Sequence, residues 1–224
     1  MCGRFAVTLP PDAMAQLFEA APANKLPDVP NYNVCPTNQI HVVHAGQGGR
    51  QLVSMRWGFI PQWYKSPSDG SLLINARAET IAQKPAFRAA CRERRCLIPV
   101  SGFYEWTKTP QGARLPWFIW RTDGAPLALA GIWQDWDGAE DPIRSCAIVT
   151  TTANSALSKI HHRMPVVLEA SDWSLWLGEK GPGAARLMKS TGKDILQFYR
   201  VDRRVNSNRA SGADLIQEIQ IDDG

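Results

Sequence analysis

Strand-period segments run through most of this chain and never settle into strand–helix alternation. They occupy residues 2–8, 39–44, 51–59, 96–106, 116–121, 127–133, 144–151 and 195–202, with a short one at Leu215-Ile216. Gly46-Gln47-Gly48-Gly49 reads as the turn joining two of them. Helical periodicity is confined to short pieces. Pro10 and Pro11 open one helix, with Met14, Leu17 and Phe18 on one face. Leu72–Asn75 begins as a strand and passes into helix by Thr80, and 85–94 is helical. Residues 153–159 form a helical turn, and Ser171 or Asp172 caps a helix ending at Leu177. Residues 21–38, rich in Pro and Asn, read as one long loop. Without regular βαβ units, a wholly parallel sheet is excluded. The expectation is α+β: a single domain over 1–224, its mixed or antiparallel sheet curled into a barrel-like core flanked by helices.

Composition narrows the function classes. With 44% hydrophobic and 21% charged residues, the chain suits an ordinary globular core. No apolar run is long enough for a membrane span or fits a secretory leader. Five cysteines at 2, 35, 91, 96 and 146 have no pairing pattern, so free thiols in a reducing cytoplasm are expected. His41 and His44 are separated by two residues in an apparent strand and would face opposite sides; no zinc site is expected. Phosphate-loop, dinucleotide-binding and Gly-x-Ser-x-Gly patterns are absent. The net charge of +4 and nine tryptophans are compatible with an anionic, base-bearing partner.

The chemistry begins at Met1-Cys2-Gly3-Arg4. An initiator Met before a small residue is normally removed, which would leave Cys2 with a free α-amine beside its thiol. An α-amine of reference pKa about 7.7–8.0 is substantially neutral near physiological pH and attacks aldehydes to form an imine. The adjacent thiol then closes a five-membered thiazolidine. Gly3 gives access, and Arg4 supplies a cation suited to phosphate. On these four residues alone a coincidence of the start codon is the better account, so the rest of the chain must decide.

Three further segments carry candidate groups. Asn75 and Arg77 share one strand face and need polar partners, either a ligand's phosphate and sugar or an internal network. Glu105, between Tyr104 and Trp106, is either a desolvated acid/base or an exposed strand-end carboxylate, and alternation favours exposure. His161 and His162 cannot point the same way if extended, so one would be the acid/base and the other structural. Arg163 would hold a phosphate or a carboxylate.

Taken in order, Met1-Cys2-Gly3-Arg4-Phe5, Asn75-Ala76-Arg77-Ala78-Glu79-Thr80, Cys96–Trp106 and Ile160–Pro165 resemble the SRAP family, the abasic-site processing proteins also called SOS response-associated peptidases. The resemblance runs from Cys2 to about Ile216. It implies a cytoplasmic, nucleoid-associated monomer with no cofactor, binding single-stranded DNA that contains abasic sites. It implies that processed Cys2 links covalently to the ring-opened sugar, with Asn75 holding that sugar, Glu105 shuttling protons and His161 assisting ring opening and reversal. Arg4, Arg77 and Arg163 would contact phosphates. Trp63 and Tyr64 would pack on bases, and Asn33 and Pro36 would line the DNA junction. Departures are Cys35, where alanine is common, the second histidine His162, and the partly matching tail 205–210. Two other readings stand: a cysteine peptidase using Cys2, His161 and Glu105, and a non-covalent single-strand binder.

Overall fold

The computed structural model describes residues 2–138, 140 and 142–220. Thirteen strands and three α-helices make up the regular structure. The strands are β1 (Phe5–Val7), β2 (Ala20–Pro22), β3 (Asn31–Val34), β4 (Gln39–Gly46), β5 (Gly49–Trp57), β6 (Asn75–Arg77), β7 (Arg95–Val100), β8 (Gly102–Lys108), β9 (Arg114–Arg121), β10 (Leu127–Trp136), β11 (Ile143–Thr152), β12 (Arg163–Pro165) and β13 (Leu196–Arg200). The helices are α1 (Pro11–Phe18), α2 (Pro85–Glu93) and α3 (Ala170–Leu177).

Two sheets share this chain. The larger runs β12-β11-β10-β7-β4-β5-β2, and a parallel pairing of β5 with β11 closes five of its strands into a ring. The smaller runs β13-β9-β8-β1-β3. The α+β architecture with a ring-like sheet is therefore the one the strand pattern called for. β7 passes into β8 through Ser101, whose N–H donates to the Ala6 carbonyl, so one continuous stretch serves both sheets. Gly102 opens β8 because a Cβ there would lie 2.7 Å from the Ile119 carbonyl oxygen on β9. The β4–β5 hairpin turns at Gly48 and Gly49, both at positive φ, where non-glycine residues are strained.

The core is in two parts. The main cluster joins Phe5, Trp57, Leu97, Phe103, Ile148 and Trp176 with the inner faces of the helices. A smaller cluster of Ala6, Tyr104, Phe118, Val201, Val205 and Leu215 lies under the C-terminal segment. The five-stranded sheet is thus covered on both faces, and each fully buried large side chain contributes about 1.5–3 kcal/mol.

Local expectations needed revision where tertiary contacts decide. The 21–38 stretch contains β2 and β3, short edge strands between prolines. Leu17 is 42% exposed; only Met14 and Phe18 face inward, because the helix has one narrow buried stripe. The segment after β6 is a set of turns, and helix begins only at Pro85. α3 starts one residue before Ser171 with Glu169 at its cap, and no side chain caps it. Ala213–Ile216 is a 3-10 turn whose Leu215 fills the small core.

Candidate functional site: the amino-terminal cysteine

The segment leading into β1 is pinned from several directions. The Asn75 side-chain amide donates to the Cys2 carbonyl at 2.9 Å. The Tyr104 N–H donates to the Arg4 carbonyl at 2.9 Å. Phe5 packs on Trp57, their rings 4.8 Å apart. Arg4 Nη1 donates to Asn33 Oδ1 at 2.6 Å and to the Val205 carbonyl at 2.9 Å. Asn33 is itself buried, and its amide nitrogen donates to the Ser207 and Ala210 carbonyls at 3.0 and 2.6 Å. The tail that matched the family pattern only in part is therefore the back wall of this segment. Met1 lies outside the described residues.

Beside this segment is a cavity of about 340 Å³ lined by Gly3, Arg4, Pro36, Glu105, Trp106, Lys108, Arg114, His161 and Asn206. A larger cavity of about 480 Å³, bounded by Arg92, Arg95 and Trp176, is built from other elements and shares no lining residue with it. The thiol of Cys2 is fully buried, which pushes its pKa well up, and the Glu105 charge pushes it the same way. Of the two alternatives for Glu105, strand alternation taken locally favoured the exposed one; it is the desolvated one that holds, at 4% exposure. Alternation does set it opposite Tyr104, but the opposite face of β8 is the one carrying Phe103 into the main core. Burial raises the Glu105 carboxyl above its ordinary range.

His161 and His162 are not extended. They follow a 3-10 turn, and their rings stack with centroids 4.4 Å apart. His161 Nδ1 sits against the Arg163 backbone, 3.0 Å from its N–H and 3.2 Å from its carbonyl oxygen, so it accepts from the one or, protonated, donates to the other. Burial lowers the His161 pKa to about 4. Its Nδ1 is 4.0 Å from Glu105 Oε1, so at neutral pH this contact joins a neutral imidazole to a carboxyl of raised pKa and is not an ion pair. Among the described residues, the buried Asn75 Oδ1 has no hydrogen-bond partner; it is an acceptor held next to the Cys2 backbone.

The other expected contacts are spread more widely. Arg77 is exposed at the end of β6. Trp63 is 60% exposed and Tyr64 half-buried, their rings 6.4 Å apart and nearly perpendicular, and neither lines the cavity. Arg163 points inward. It is 8% exposed and makes a bidentate pair with Glu79 at 2.7 and 2.9 Å, so a phosphate there would have to displace a carboxylate. Cys35 lies close to Arg4, its thiol donating to the Asn33 carbonyl at 3.3 Å.

Four lining residues escaped the sequence reading: Trp106, Lys108, Arg114 and Asn206. Lys108 and Arg114 face each other across the β8–β9 pair. Like charges directly opposed are unfavourable unless an anion sits between them. Arg114 also lies over the Trp106 ring at 5.1 Å, and the Trp106 N–H donates to Asn206 Oδ1 at 2.6 Å. The available signal was a basic residue on each side of the turn Pro110-Gln111-Gly112.

A buried thiol near the chain start, a carboxyl of raised pKa, an imidazole of lowered pKa and a basic rim lie close together here. The chain belongs to the SRAP family, whose profile, described as SOS response associated peptidase, matches residues 1–208. It is 34% identical to the abasic site processing protein YoqW of Bacillus subtilis over 97% of this chain and 99% of that one. It is 30% identical to YedK of Escherichia coli, covering 98% and 100%, and 28% identical to HMCES of Pongo abelii, covering 99% and 77%; both are likewise named abasic site processing proteins. A solved protein from Bacteroides thetaiotaomicron, 22% identical, superposes with a TM-score of 0.86 over 98% of this chain and all of its own, and so shares the fold.

Proposed function

We propose that this protein captures abasic sites in single-stranded DNA by a covalent bond from Cys2, shielding the lesion. Removal of Met1 exposes the α-amine. The amine attacks C1′ of the ring-opened sugar, a carbinolamine forms, and loss of water gives the imine. The Cys2 sulfur then bonds to the same carbon while its proton passes to nitrogen, closing the thiazolidine. Glu105, with its raised pKa, gives a proton to the departing water and takes one back. Neutral His161 accepts a proton during sugar ring opening and in reversal. Asn75 Oδ1 accepts a hydrogen bond from a sugar hydroxyl. Arg4, Lys108 and Arg114 offer positive charge to the flanking phosphates, Arg77 and Trp63 extend the contact outward, and Pro36 borders it.

The observation that carries this reading is that Asn75 and Glu105, far apart in sequence, come together at Cys2, with His161 next to Glu105. The names of the relatives agree with it. A cysteine peptidase would need a thiolate paired with an imidazolium, whereas the Cys2 thiol pKa is raised and the His161 pKa lowered. The test is incubation with a single-stranded oligonucleotide containing one abasic site, followed by denaturing electrophoresis. A heat-stable shifted band is expected, lost in Cys2→Ala and in protein with a retained N-terminal tag. An undiminished band with Cys2→Ala would refute the proposal.

A further inference from the structure

Glu79 follows β6, and Arg163 opens β12. These two strands pair with β11 on opposite sides, since Thr150 is in register with Arg77 on one and with Pro165 on the other. The Glu79–Arg163 pair therefore bridges across β11. Arg163 Nη2 also donates to the Thr150 carbonyl at 2.7 Å, the same oxygen that accepts the Ala78 N–H at 2.8 Å. One end of the bridge is buried, with Arg163 at 8% exposure, while the Glu79 side chain is 47% exposed. The guanidinium holds the Glu79 carboxyl below its usual range.

This bridge links two parts of the site. β6 carries Asn75, which holds the Cys2 carbonyl. The Arg163 backbone holds His161 Nδ1 through its N–H or its carbonyl. We propose that Glu79 is a positioning residue: by anchoring Arg163 across β11 it fixes the place of the His161 ring relative to Asn75 and Cys2. The role in capture rests on the function proposed above; the role in holding the ring does not. Without Glu79, Arg163 is a buried cation lacking its carboxylate and is driven to reorient toward water. The backbone beside it moves too, and His161 Nδ1 loses its fixed backbone partner.

The experiment compares wild type with Glu79→Ala, Glu79→Gln and Glu79→Asp. Two readouts are ring-nitrogen NMR of His161 at neutral pH, with His44 as the distant control, and the single-turnover rate of capture of an abasic oligonucleotide. Affinity for an undamaged oligonucleotide and cooperative thermal unfolding are measured alongside. In wild type one His161 tautomer dominates, held by the Arg163 backbone. In Glu79→Ala the two tautomers mix, His44 is unchanged, and capture slows about 10- to 100-fold, the size expected of a misplaced group, while undamaged DNA binds within twofold. Glu79→Asp recovers most of the rate. Unchanged His161 signals, or capture within twofold of wild type, in a folded variant overturns the proposal. If Glu79→Ala does not fold, Glu79→Gln decides by the same criteria. If wild type captures no aldehyde, the proposed function fails, and the ring signals alone decide whether Glu79 holds His161.

Discussion

Replacing Asn75 with Ala separates a residue kept for chemistry from one kept for folding. The substitution removes the donor at 2.9 Å from the Cys2 carbonyl. Leaving a buried carbonyl unpaired costs about 1–3 kcal/mol. The same substitution deletes Asn75 Oδ1, a buried acceptor that already lacks a partner, and so relieves a penalty of about the same 1–3 kcal/mol. The two terms oppose each other, and the net change in stability is about 1 kcal/mol or less in either direction. Met14→Ala, at a fully buried apolar site, costs about 2–5 kcal/mol by comparison. Capture should respond the other way: Asn75→Ala slows it at least about tenfold, or ~1.4 kcal/mol in the barrier, and Met14→Ala leaves the folded protein's rate near wild type. Urea unfolding supplies the first quantity and single-turnover capture the second. Asn75→Ala destabilised by more than about 3 kcal/mol with an unchanged rate would show that the amide is structural and refute the reasoning.

Two further outcomes follow from the electrostatics. His161 has a folded pKa of about 4, below the reference of about 6.5 for an unfolded histidine, so the unfolded chain binds more protons between those values and stability falls as pH drops through that window. Buried His41 and His44 act in the same sense, and Glu105, with a raised pKa, in the opposite one; the measurement is therefore differential, and His161→Gln should flatten the urea-midpoint slope between pH 6.5 and 4. Lys108→Ala and Arg114→Ala should each weaken binding to any single-stranded oligonucleotide and reduce the salt dependence of log K by about 0.7, the single-strand value for one phosphate contact; an unchanged salt slope would show that the cavity rim does not meet the backbone.

The sequence carried the identity of the central groups but not their surroundings. Cys2, Asn75, Glu105 and His161 were nameable because each sits in a distinctive local string. The burial of Glu105 was not, because period-two alternation reports which face a residue takes and not whether that face is covered; Tyr104 is buried in a second core completed by Val201, Val205 and Leu215, while the face of Phe103 and Glu105 meets the main one. Arg163 illustrates the same limit: an arginine's partner is a matter of topology, and Glu79 becomes its neighbour only because β6 and β12 flank one strand. Lys108 and Arg114 meet through hairpin register alone.

Where the site lies also follows from the architecture. β1 belongs to the small sheet, and the residues before it reach toward the ring. Glu105 comes from β8 of the small sheet, whereas Asn75 and His161 come from β6 and from the turn before β12, both attached to β11 of the larger sheet. Neither sheet holds the full set. The geometry around Cys2 therefore depends on how the two sheets pack, and the shortest covalent link between them is Ser101, where β7 of one becomes β8 of the other. A variant that loosens this junction without touching any charged group would be felt at the cysteine first, because the distances that matter there are hydrogen-bond lengths while the core tolerates shifts of comparable size by repacking.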